Sequence, residues 1–252
     1  MVGLHKRLAM VVGMLVAVAA CNNAKPSSRA GTTPDAAATD TAAAPPTVPA
    51  AAAPATPAAS ARARIVFLGD SLTAGYGLAR HQSVPALIQA RLDREGLDYE
   101  VVNAGVSGDT SAGGLSRLEW SLDGMVRVLV VELGGNDGLR GLPVAAMKDN
   151  LDAIIRRAKA RGITVLLTGM EAPPNYGQAY TVEFRTAFLD LAKAHGVAFV
   201  PFYLEGVAGN PELNIADGIH PNPDGARIVE QTIWRALQPL LAADHGPGGG
   251  GR

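Results

Sequence analysis

A serine, an acid–imidazole pair and two neutral hydrogen-bond donors are the residues of this chain that could do chemistry together. Ser71 stands in Gly69-Asp70-Ser71-Leu72, directly after the apolar run Ile65-Val66-Phe67-Leu68. A serine hydroxyl is a poor nucleophile at neutral pH and needs a base within hydrogen-bond reach. His220 is the candidate base. Asp217 precedes it by three residues in Asp217-Gly218-Ile219-His220, a spacing that suits one local turn. From there its carboxylate can bond the other ring nitrogen, fix the tautomer and stabilise the imidazolium. Pro221 and Pro223 stiffen the exit from that turn. Acyl transfer also needs donors aimed at the developing oxyanion. Gly108 lets a backbone N–H approach a reacting carbonyl closely, the Asn136 amide is a donor that titrates with nothing, and the Ser71 N–H would be a third. Each residue taken singly fits a plain turn or cap. Their joint order points to nucleophilic catalysis by Ser71, Asp217 and His220.

The other polar candidates carry less. Of the five histidines, His5 and His245 lie near the termini, and His81 and His195 lack any comparable acid partner, so that cap or loop roles suffice for them. Asp70, Asp109 and Asp137 are expected to cap backbone amides in tight turns. No group of His, Cys and carboxylates shows metal-ligand spacing. Gly113-Gly114 lacks the lysine and the pattern of a phosphate loop. No cofactor and no metal are expected. A net charge of −1 without a basic block excludes nucleic acid as an expected partner.

These residues need a frame that brings them to one edge. Residues 65–68 read as a buried strand ending in a turn, followed by strands at 99–102, 126–133, 163–167 and 197–200. The third is apolar on both faces apart from Arg127 and Glu132. Helical spacing of apolar residues recurs at 84–94, 144–161, 181–195 and 226–241, with Gly162 and Gly196 placed as C-terminal caps. Strands alternating with helices of this length predict an α/β fold, a parallel sheet with helices on both faces. In such sheets ligands bind at the carboxyl ends of the strands, where Ser71, Gly108 and Asn136 would all emerge. The segment after the fourth strand reaches the same edge. It carries Met170, Pro173-Pro174, Tyr176 and Tyr180, and it is expected to border the site, with Met170, Pro174 and Tyr176 as substrate contacts suited to an acyl chain.

The first 61 residues read differently. His5-Lys6-Arg7 precede an apolar run over residues 8–20, too short to span a bilayer and the right length for a signal-peptide core. Val18-Ala19-Ala20-Cys21 resembles the bacterial lipobox, and Cys21 is the only cysteine, so it cannot form an internal disulfide. A membrane partner through a lipid-modified Cys21 is expected, with export to the envelope. Asn22 rather than aspartate follows, which favours an outer-membrane, periplasm-facing anchor. Residues 22–60 hold fifteen Ala, seven Pro and six Thr, which cannot bury enough surface to offset the entropy of ordering. The expected organisation is a signal peptide at 1–20, an anchored linker at 21–61, one catalytic domain at 62–243 and a disordered tail at 244–252.

Taken together, Gly69-Asp70-Ser71-Leu72, Gly108, Gly134-Gly135-Asn136-Asp137 and Asp217…His220, in this chain order, resemble the SGNH (GDSL) hydrolase superfamily. Thr73-Ala74-Gly75-Tyr76-Gly77, Ser107-Gly108-Asp109-Thr110, Gly138-Leu139-Arg140-Gly141 and Ala172-Pro173-Pro174-Asn175-Tyr176-Gly177 are similar to its bacterial thioesterase/lysophospholipase/arylesterase subgroup. Gly105 departs from the serine often found there, outside the catalytic set. The resemblance implies a three-layer, flavodoxin-like α/β/α sandwich on a five-stranded parallel sheet. It also implies a serine esterase or thioesterase acting on a small acyl ester, thioester or lysophospholipid through an acyl-enzyme. Two other readings stand beside it: a carbohydrate-directed deacetylase, and a non-catalytic envelope lipoprotein that binds a ligand. No protein partner is inferable.

Overall fold

Five strands form one all-parallel sheet. A computed structural model describes residues 62–244; the signal, Cys21 and linker readings over residues 1–61, and the tail from residue 245, lie outside the described residues. The strands are β1 (Ala63–Gly69), β2 (Tyr99–Gly105), β3 (Val126–Glu132), β4 (Thr164–Thr168) and β5 (Ala198–Val200), and they lie in the order β2-β1-β3-β4-β5. Ile65, Val66, Phe67 and Leu68 of β1 and Leu129, Val130 and Val131 of β3 are fully buried. A central parallel strand must be apolar on both faces, because helices cover both.

The chain leaves β1 outward to β2, then crosses back over β1 to β3 and continues to β4 and β5. Parallel crossovers are right-handed, so reversing direction puts the connecting helices on opposite faces. Helix contacts agree. The principal helices are α2 (Val84–Glu95), α6 (Val144–Ala160), α7 (Gln178–His195) and α8 (Pro223–Asp244), and α2 packs on α8 while α6 packs on α7. The α6 residues Val144, Met147, Leu151, Ile154, Ile155 and Ala158 are buried, the stripe expected of a helix laid on a sheet. The predicted three-layer sandwich is the observed fold.

Boundaries moved where polar residues made the ends. β2 continues through Asn103 to Gly105 because it pairs with the whole of β1. α8 begins at Pro223, three residues before the apolar pattern, because the Asn222 side-chain oxygen accepts from the N–H groups of Asp224 and Gly225, both at 3.0 Å, and so caps it. Four helices of four to six residues, α1 (Ser71–Ala74), α3 (Ser111–Ser116), α4 (Leu118–Ser121) and α5 (Gly135–Leu139), are too short to show a period in the sequence. Among the described residues no helix is long and apolar enough to cross a membrane.

The outer edge of β2 is closed by a side chain. The Gln89 amide donates to the Tyr99 carbonyl at 3.1 Å and accepts from the Val101 N–H at 2.7 Å. It thereby occupies backbone groups that an exposed edge would offer to another chain.

Candidate active site

The topology fixes where a site can form. β2 and β3 lie on either side of β1, and the crevice beyond the strands' carboxyl ends opens at that switch point. Gly69, which ends β1, is in register with Gly105 of β2 and Glu132 of β3. A Cβ at Gly69 would lie 2.0 Å from Thr73 Oγ1 and 2.6 Å from Glu132 Oε2, so only glycine allows the turn here. Asp70 follows as the N-cap of α1, its Oδ1 accepting from the Leu72 N–H at 2.9 Å. Ser71 is thus the first residue of α1, where backbone N–H groups have no partner inside the helix.

His220 reaches Ser71 from the far end of the chain. Its Nε2 lies 2.8 Å from Ser71 Oγ and its Nδ1 lies 2.6 Å from Asp217 Oδ2. Asp217 is held by its own turn, Oδ1 accepting from the N–H groups of Ile219 at 2.9 Å and His220 at 3.0 Å. The His220 N–H is the largest cause holding the Asp217 carboxyl down to about 2; burial opposes it, and the Ile219 N–H and the imidazole add to the lowering. The loop is anchored by the Ile215 N–H donating to the His220 carbonyl and by an antiparallel bridge between Asn214 and Pro221. The Tyr76 ring packs on the imidazole at 4.7 Å between centroids. The structure therefore joins Ser71, His220 and Asp217 in one hydrogen-bonded chain, with the acid fixing the proton on Nδ1 and leaving Nε2 to accept from the serine.

Asn136 arrives on α5, directly after β3. Gly134 turns into this helix at φ 106°, and a Cβ there would meet Phe188 at 2.8 Å. The Asn136 amide donates one N–H to Asp70 Oδ2 at 3.0 Å. A carboxylate can only accept, so this contact sets the amide's orientation and leaves its second N–H for a ligand. Gly108 stands at φ 85° in the loop after β2, and its carbonyl accepts from Arg140 at 2.8 Å, tying that loop to the end of α5.

The nucleophile opens onto a cavity of about 450 Å³, whose lining includes Leu139, Met170, Ala172, Pro173, Pro174 and Phe202 as well as Ser71, Asn136 and His220. Met170 and Pro174 line it. Tyr176 does not: its hydroxyl donates to the Leu139 carbonyl at 3.0 Å and its ring covers Gly141. It braces the wall from outside, through the carbonyl of the lining residue Leu139. Gly108 is also outside the cavity lining.

Three other expectations change. Asp109 does not cap a turn amide; its carboxylate pairs with Arg117 at 2.6 Å, and Arg117 also donates to the carbonyls of Ala104 and Gly69. That guanidinium clips together the carboxyl ends of β1 and β2, a role sequence offered no hint of. His195 does have an acid partner, Asp152 at 2.7 Å, supplied from 43 residues away by the packing of α7 on α6. Asp137 accepts from both the N–H and the hydroxyl of Ser111 and so docks α3 on α5. Among the described residues no group of three or more His, Cys, Asp or Glu could hold a metal ion.

Comparison with known proteins agrees with this geometry. The model of the GDSL-like lipase/acylhydrolase family matches residues 67–228. Esterase TesA of Pseudomonas aeruginosa is 46% identical over 178 residues, covering 70% of this chain and 89% of that protein. Thioesterase 1/protease 1/lysophospholipase L1 of Escherichia coli is 39% identical over 181 residues, covering 71% and 86%. The crystal structure of the psychrotrophic esterase EstA from Pseudoalteromonas, inhibited by monoethylphosphonate, superposes with a TM-score of 0.68 at 33% identity, covering 71% of this chain and 98% of that one. The sequence blocks, the parallel sheet and these matches agree, and the chain belongs to the GDSL-like lipase/acylhydrolase family.

Proposed function

We propose that this protein hydrolyses acyl esters and thioesters through an acyl-enzyme on Ser71. The observation that carries the reading is the unbroken Ser71–His220–Asp217 hydrogen-bond chain opening onto an apolar cavity. His220 Nε2 takes the proton of Ser71 Oγ as the oxygen attacks the acyl carbon. The carbonyl oxygen becomes an anion held by the Ser71 N–H, the Gly108 N–H and the second N–H of Asn136. Collapse expels the alcohol or thiol, which receives the proton from His220. A water, deprotonated by the same imidazole, then attacks the acyl-enzyme and regenerates Ser71. Relatives named esterase and thioesterase/lysophospholipase support this chemistry, as does a structural relative captured with a phosphonate.

The cavity wall speaks for acyl chains over acetyl groups. Each methylene buried there gains about 0.8 kcal/mol, roughly a fourfold gain in kcat/KM per carbon until the groove is filled. The test is a panel of oxygen and thiol esters from C2 to C16. A profile rising beyond C2 is expected, and Met170→Ala, which removes a buried wall residue, should flatten its rising part. Turnover of acetyl groups alone would establish the deacetylase reading instead, and binding without turnover the ligand-binding one.

We also propose that Cys21 carries a lipid anchor, supported by its place after Val18-Ala19-Ala20 and the linker that follows. Several acyl chains, each methylene buried at about 0.8 kcal/mol, hold a protein firmly to a bilayer. Cys21→Ser is expected to release the protein from the membrane fraction with unchanged specific activity. Parent protein found wholly in the soluble periplasmic fraction would refute the anchor.

A further inference from the structure

Beneath the nucleophile lies a carboxyl pair that the reaction as derived does not use. Glu132, the last residue of β3, is fully buried. Its Oε2 accepts from the Asp70 N–H at 3.2 Å and from the Thr73 hydroxyl at 2.8 Å, bonds to the residues on either side of Ser71-Leu72. Gly69 leaves the room for it. Asp70 is also buried, and its backbone N–H is the group that bonds Glu132. Its two oxygens accept from the Leu72 N–H and from Asn136.

Two carboxylates cannot both be charged in so dry a place. Burial raises both. Asp70 is drawn back by the Leu72 N–H, by Glu132 and Asn136 and by the charge of His220, while Glu132 is pushed further up by Asp70 itself. Thr73 and the buried Tyr203 hydroxyl are the other groups facing the pair. Among the described residues no donor reaches Glu132 Oε1. Of the two carboxyls Glu132 is raised further, so it is the one that takes a proton first.

We propose that Glu132 and Asp70 act as positioning residues, Asp70 aiming the Asn136 amide at the oxyanion and Glu132 fixing Asp70 and the Ser71 turn from below. The inference rests on the esterase reading. An anion at Asp70 binds the Asn136 N–H more strongly than a neutral acceptor would, and both hydrogen bonds that the Glu132 side chain accepts from described residues come from that turn.

A kinetic double-mutant cycle with p-nitrophenyl butyrate tests this. Asp70→Asn presents an amide that can turn a donor toward Asn136, and it should lower kcat by on the order of 10² with KM within about threefold, as misplacement of a group does. In an Asn136→Ala background the same change should cost less than about threefold more, since the group it aims is already gone. Glu132→Ala should also lower kcat by on the order of 10², and Glu132→Gln, a neutral isostere of the protonated acid, should recover most of that loss. An active parent in which Asp70→Asn and Asn136→Ala multiply would overturn the inference alone. So would a Glu132→Gln no better than a folded Glu132→Ala. A parent with no ester turnover would overturn the esterase reading and this inference with it.

Discussion

Ser71→Ala is expected to abolish ester turnover, by on the order of 10⁶ as in other triad enzymes whose nucleophile is removed, while leaving the fold unchanged. Chemistry and stability separate at this residue because its hydroxyl does nothing structural. Ser71 Oγ bonds His220 Nε2 at 2.8 Å, whereas the cap of α1 is supplied by Asp70. Alanine is at home in a first helical turn, and surface-level changes of this kind move stability by about 0.5 kcal/mol or less. The checks are intact mass after exposure to a fluorophosphonate, and thermal melting. The parent should gain one adduct and the alanine variant none, with coincident melts. An adduct on the alanine variant would place the nucleophile elsewhere; a lost melt would make Ser71 part of the fold.

How far the sequence reveals such a site depends on how local each piece is. Ser71, Asp217 and His220 were legible because each sits in a turn written in adjacent residues: the glycine that admits the bend, the capping acid, and the three-residue spacing that turns Asp217 back on His220. Asn136 was legible as a strand-end residue, although its tie to Asp70 was not. Contacts made between elements left weaker marks. Arg117 holds two strand ends from an otherwise ordinary helix linker, and His195 meets Asp152 only because α7 lies on α6. Tyr176 was misplaced because sequence shows that a loop reaches the sheet edge but not which of its side chains turns inward. Glu132 did leave a signal. A lone carboxyl in a strand buried on both faces must be paired or neutral, whereas the sequence reading notes it only as an exception to the apolar pattern.

Asp217→Asn is expected to lower kcat by about 10⁴ at nearly constant KM. The asparagine keeps the turn, since its Oδ1 can still accept from the Ile219 and His220 N–H groups. The change falls on the other atom. Where Oδ2 accepted from His220 Nδ1 at 2.6 Å, an amide now donates, and the imidazole must place its proton on Nε2. That nitrogen then donates toward Ser71 instead of accepting from it, and the base is lost with every atom in position. The same carboxylate has a stability signature. Its folded value of about 2 lies below the roughly 3.9 of an unfolded aspartate, so folding gains from Asp217 above about pH 4, and the gain disappears as pH falls toward 2. The asparagine variant lacks that dependence, so the difference in stability between parent and variant should shrink as pH is lowered from 5 to 2. Because Asp217 stays ionised above about pH 4, an acid limb of kcat/KM in that range must belong to another group. Stopped-flow turnover on a chromogenic ester, together with denaturant melts at pH 2 and 5, reads both effects. Near-parental turnover in a folded Asp217→Asn would show that Asp217 only shapes the loop, and that another group orients His220.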